Sequence, residues 1–147
     1  MKRKIFRSKI LYLLNLIFNS GFLLVSILSL LSLIFIGNNR LTDENKAEQI
    51  VLYCVYILTY TIAVAILFVK PKKAVFYLNL TYLFALIINF YEFLTHYLKS
   101  NINSTKFIYI IMILIFITVF MVFIYFNKKY KFKVKFSEIE DIGTHKD

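Results

Sequence analysis

Apolar residues fall into four long runs along this chain, and most charged residues are confined to the intervals between them. The runs cover residues 10–36, 50–69, 74–98 and 107–126. A helix needs roughly 20 mostly apolar residues to cross a hydrocarbon core about 30 Å thick, and each run is long enough. Backbone N–H and C=O groups in lipid must be satisfied within the protein, so the pattern predicts helices rather than open strands. Apolar and polar positions do not alternate inside the runs, which excludes a β-barrel. The expected fold is therefore all-α and integral to the membrane, a four-transmembrane-helix up-down bundle spanning 10–126. The links at 37–49, 70–73 and 99–106 are short, which leaves sequential helices antiparallel and adjacent. Pro71 suits the tight second link. Asp43 and Glu44 sit where the first turn of the second helix begins, with charges that complement its dipole.

Composition agrees with the pattern. The chain is 60% hydrophobic and 18% charged, whereas soluble domains run about 45–50% apolar and about 25% charged. A single cysteine excludes a disulfide framework and a Cys-built zinc site, and no cofactor or metal is expected. Lysine and arginine set the orientation. Lys2, Arg3, Lys4, Arg7 and Lys9 precede the first run, Lys70, Lys72 and Lys73 fill the second link, and six lysines follow position 127. Only Arg40, Lys46, Lys99 and Lys106 fall on the opposite side, a ratio of fourteen to four. Cytoplasmic flanks carry the excess of basic residues, so the tails at 1–9 and 127–147 are both expected in the cytoplasm. The net charge of +10 is accounted for by this asymmetry, and nucleic-acid binding is not expected. The first run is too long for a signal-peptide core and lacks a small-residue cleavage pattern, so it reads as a retained anchor. The wealth of Ile, Lys, Asn and Phe suggests an AT-rich bacterial genome and hence an inner, cell-membrane location.

Polar residues within the spans are the places where function leaves traces. At ~100° per residue, Asn15, Asn19, Ser26 and Ser29 share one stripe on the first helix. Tyr82, Ala85, Asn89, Glu92 and His96 share a second on the third, with Asn79 at its edge. Depth matches Asn15 to Asn79 and Ser26 to Asn89, so the first and third helices are expected to pack through these faces. Two roles are open for the stripes: hydrogen-bonded helix–helix glue, or the lining of a pore or groove in a homo-oligomer. Glu92 and His96, spaced i, i+4, form an expected pair near the outer interface, where an acid reaches water cheaply.

The C-terminal tail reads KYKFKVKF over 129–136. In a strand, Tyr130, Phe132, Val134 and Phe136 face one way, and Lys129, Lys131, Lys133 and Lys135 the other. Such a segment suits either contact with anionic lipid headgroups or strand pairing with a cytoplasmic protein partner. The function expected from these features is non-enzymatic. It is that of a four-helix membrane module that oligomerises and serves as the membrane subunit of a larger system, as sensor, effector or immunity component. The alternative is a small channel, holin-like pore or transporter.

Overall fold

The computed structural model describes residues 5–35, 43–99 and 103–132. Four helices account for nearly all of them: α1 (Lys9–Phe35), α2 (Asp43–Val69), α3 (Ala74–Lys99) and α4 (Asn103–Lys129). Each is long and apolar enough to cross a membrane, and the fold is all-helical apart from one isolated β-bridge. Two helices outrun the apolar segments that announce them. α2 begins at Asp43, where the acidic first turn is expected and seven residues ahead of its apolar run, and α4 runs from Asn103 to Lys129 rather than 107–126. An apolar run measures the part of a helix that lipid demands. Beyond it, nothing in ENKAEQ or NKK breaks a helix, so the hydrogen-bond ladder continues into the interface.

Packing follows the chain. α1 lies on α2, α2 on α3 and α3 on α4, while α4 closes the ring against α1 with the sparsest backbone contact of the four neighbouring pairs. α1 and α3 are diagonal across the bundle. The expected seam between the first and third helices is therefore absent as a backbone interface. Short links make sequential helices neighbours, and in a ring of four that places the first and third at opposite corners.

Where the backbones of α1 and α4 stand apart, aromatic rings fill the space. Phe18 meets Phe123 at 4.4 Å and Phe120 at 5.6 Å between centroids, the latter edge-on. Phe22 stacks on Tyr60 of α2 at 5.2 Å, and Tyr82 of α3 packs edge-on to Phe120 at 5.7 Å. Tilted and edge-to-face contacts of this kind satisfy the ring quadrupoles better than face-to-face sandwiches. Small residues on the facing helices, Ala63 and Ala85, are fully buried and make room for these rings. The outer surface is correspondingly greasy: Leu13, Ile17, Leu58, Ile87 and Leu114 are all exposed, as lipid-facing residues must be.

The second link is a tight reversal. Lys70 takes a left-handed conformation (φ 52°) just past the end of α2, its N–H donates to the Ile66 carbonyl at 3.0 Å, and the Ala74 N–H donates to the Pro71 carbonyl at 3.0 Å. The left-handed residue ends the helix, and Pro71 prevents its continuation. The Lys70 ammonium lies over the Tyr12 ring at 5.2 Å, a cation–π contact tying the link to α1.

The two tails lie at the same end of the bundle and pair there. Phe6 and Lys131 form an antiparallel bridge. The Arg7 N–H donates to the Tyr130 carbonyl and the Phe132 N–H to the Ile5 carbonyl, both at 3.0 Å. Ile5 and Phe6 are buried and belong to the core cluster. We call this the tail end, and the opposite end the far end.

Candidate functional site

The polar stripe of α1 faces the interior of its own bundle. Asn15 and Asn19 have no exposed surface, nor has Asn127 of α4, and Tyr82 of α3 has almost none. Asn15 is the hub. Its Nδ2 donates to the Leu11 carbonyl at 2.8 Å and to Asn127 Oδ1 at 3.0 Å. Its Oδ1 accepts from the Tyr82 hydroxyl at 2.7 Å and from Asn127 Nδ2 at 3.2 Å. An amide side chain offers two donors and two acceptor sites, and all four are occupied. Asn15 and Asn127 thus form a reciprocal amide pair across the α1–α4 seam. Asn19 Nδ2 donates to the Asn15 carbonyl at 2.6 Å and to the Tyr82 hydroxyl at 2.7 Å. Asn127 Nδ2 also reaches Asn79 Oδ1 at 3.2 Å.

Asn15 and Asn79, matched by depth in the sequence, therefore meet through Asn127 and not by a direct bond. Helix α3 is diagonal to α1, so only the long Tyr82 side chain crosses the gap by itself. The deeper pair expected from depth, Ser26 with Asn89, is not made. The Ser26 hydroxyl donates to the Phe22 carbonyl at 2.8 Å, and Asn89 Nδ2 to the Ala85 carbonyl at 2.7 Å, each in its own helix. Ser29 instead lies beside the Tyr53 side chain of α2.

Asn127 was hidden in the sequence because it follows the last apolar run and precedes two lysines, the signature of a solvated flank. The signal that finds it is the spacing 113, 116, 120, 123, 127 on α4, a continuous inward face whose last position is an amide. Two buried polar atoms have no partner among the described residues: Asn19 Oδ1 and the Tyr60 hydroxyl.

At the far end a second polar group stands apart from the first. Glu92 of α3 accepts a hydrogen bond on Oε2 from the Tyr56 hydroxyl of α2 at 2.8 Å. Its Oε1 lies 4.0 Å from His96 Nε2, with both side chains partly exposed. That separation exceeds a hydrogen bond, so the i, i+4 side chains face one another without a donor–acceptor bond. The His96 ring stacks on Tyr109 of α4 at 5.7 Å between centroids, with 23° between planes. Between α3 and α4, Asn89, Glu92, His96 and Tyr109 border a cavity of about 230 Å³ whose lining also includes Ile113 and Phe116. Nearby, the Tyr91 hydroxyl donates to Glu48 of α2 at 3.1 Å. Among the described residues no group of three or more His, Cys, Asp or Glu is arranged to hold a metal.

The tail residues divide. Lys129, Tyr130, Lys131 and Phe132 are all exposed, and the first strand-like step, Tyr130 to Phe132, pairs with Ile5 to Arg7. The Lys129 ammonium lies 5.6 Å from the Tyr125 ring centroid and 5.7 Å from that of Tyr130. Lys133, Val134, Lys135 and Phe136 lie outside the described residues. No family model, curated protein or solved structure matches this chain.

Proposed function

We propose that this chain is a non-enzymatic, multi-pass module of the bacterial cell membrane, with both tails in the cytoplasm, that acts as the membrane subunit of a system containing a cytoplasmic protein. The pairing of the two tails at residues 5–7 and 130–132 is the observation that carries this reading. A two-stranded stub has one edge for each strand, and an edge of unpaired N–H and C=O groups is a template for a third strand. The alternating residues 133–136 continue the same strand pattern. Buried Ile5 and Phe6 anchor the stub to the bundle core, so a partner that pairs there engages the membrane helices and not a loose tail. Lys128, Lys129 and Lys131 add attraction to anionic headgroups at about 1 kcal/mol each.

The pore alternative needs a polar surface shared between copies. Asn15 and Asn19 of the α1 stripe that suggested one are buried and hydrogen-bond to other helices inside a single bundle, and this supports the non-conducting reading. Copies of the chain, in the proposed assembly, meet through their lipid-facing surfaces. On α1 that surface includes Gly21, where an added Cβ would touch nothing within 4 Å, a position that allows close helix approach in lipid.

The decisive experiment changes Phe132, Val134 and Phe136 together to serine, keeping every positive charge. Membrane insertion and expression should persist, while in-cell photocrosslinking from position 131 to a soluble protein should disappear. If the wild-type chain crosslinks at 131 only to lipid, and salt abolishes vesicle binding by a 127–147 peptide, the tail is a lipid anchor and the partner reading fails.

A further inference from the structure

We infer that the far-end cavity between α3 and α4 is a binding site for an organic ammonium ion carrying an apolar tail. The inference is independent of the proposed partner at the opposite end of the bundle.

The cavity is graded along its length. Glu92, His96 and Tyr109 border it toward the far end, while Ile113 and Phe116 make its deeper part mostly apolar, with Asn89, its Nδ2 bound to the Ala85 carbonyl, the one polar residue there. Glu92 is the one acidic residue within the apolar run 74–98 and has no counterpart in the other three runs. Its placement is not loose. The Tyr56 hydroxyl holds Oε2 at 2.8 Å, which fixes the carboxylate and leaves Oε1 without a hydrogen bond among the described residues. His96 Nε2 lies 4.0 Å from Oε1, beyond hydrogen-bond reach. A carboxylate with one oxygen anchored and the other free is a ready acceptor for an N⁺–H donor, the stronger class of hydrogen bond.

Anions are disfavoured there by Glu92 itself. Metal ions are disfavoured too, because no third His, Cys, Asp or Glu among the described residues joins the pair. The aromatic walls, Phe93 and the stacked His96–Tyr109 pair, suit a cation through their ring faces and an alkyl group through their area. A volume of about 230 Å³ is below the usual range of drug-sized sites. It accommodates a headgroup with the first part of a chain, with the remainder passing out between the helices into lipid. The shared chemistry is that of an alkylammonium, whether an aminolipid headgroup or a free cationic amphiphile.

The test uses the full chain in maltoside micelles and native mass spectrometry, with decylammonium as probe and decyl sulfate as its anionic match. Decylammonium should bind saturably, one per chain, and decyl sulfate should not. Glu92→Gln should weaken decylammonium by about tenfold or more, as expected when a charged hydrogen-bond partner is lost. Met112→Trp, which fills the cavity from an exposed position and leaves the carboxylate intact, should weaken it as much. It decides the matter if Glu92→Gln fails to fold. Titration of phosphatidylethanolamine against phosphatidylglycerol then separates the sources. Saturable, Glu92-dependent binding of the former identifies a membrane headgroup, and decylammonium binding alone identifies a free amphiphile. Equal binding of decylammonium and decyl sulfate, or unchanged binding in a folded Glu92→Gln or Met112→Trp protein, overturns the inference.

Discussion

Asn15 makes three side-chain hydrogen bonds to other helices, two with Asn127 and one with Tyr82. Such bonds average roughly 0.6 kcal/mol each in membranes, so Asn15→Leu is expected to cost ~2 kcal/mol of unfolding free energy. Asn19→Leu breaks one cross-helix bond, to Tyr82, and should cost less than half as much. Unfolding in mixed micelles measures both, and equal losses would mean that Asn15 is not the hub. The two buried tyrosines give a sharper contrast. Tyr82→Phe removes a hydroxyl with two partners and should destabilise by about 1 kcal/mol. Tyr60→Phe keeps the stacking on Phe22 and Tyr56 and removes a hydroxyl without a partner among the described residues. Burying such a hydroxyl is itself unfavourable, so this change should leave stability equal or raise it by up to about 1 kcal/mol. A loss matching that of Tyr82→Phe would show that the Tyr60 hydroxyl is engaged.

Among the elements, α1 and α4 hold the most informative relationship. They are the neighbouring pair whose backbones approach least, yet three kinds of contact join them: the tail bridge, the Asn15–Asn127 amide pair and the Phe18, Phe120 and Phe123 rings. Two of these three lie at the tail end, so that end of the seam is clasped by directional bonds. Arg7→Pro deletes the N–H that donates to Tyr130 and cannot restore it. Amide exchange at Phe132 should then accelerate while exchange in the middle of α1 stays slow. Unchanged protection at Phe132 would mean that the bridge does not persist in solution. The helices themselves were legible from apolar length, and the inward faces from 3.6-residue periodicity. The ends of α4 were not, because lipid constrains only the buried portion of a helix.

For the whole molecule, ring order decides which polar residues can meet. In a Cys54→Ser background, a short thiol-reactive crosslinker should join Asn15→Cys to Asn127→Cys efficiently and Asn15→Cys to Asn79→Cys poorly. The reverse result would place α3 beside α1. On the proposed topology, reporter fusions at both ends of the chain should give cytoplasmic signals, the side to which the fourteen-to-four distribution of basic residues points. An external signal from either end would invert or break the proposed topology. The structure places residues 5–7 against 130–132, so the two termini should report the same side whichever side that is.

The sequence by itself determined how many helices there are, that each can span a membrane, and which faces of α1 and α3 carry polar groups. Those properties depend on length, hydropathy and local periodicity, all of which are written in consecutive residues. Only the tertiary structure decided what the polar groups touch. Asn127 belongs to the core because α4 continues past its apolar run and turns that residue inward, opposite Asn15. Ser26 and Asn89 share a depth but sit on diagonal helices, so each falls back on its own backbone. The segment 130–132 pairs through a single bridge with residues 5–7, from the other end of the chain. Partners so distant in sequence leave no local pattern, because the free energy that selects them exists only once the four helices have packed.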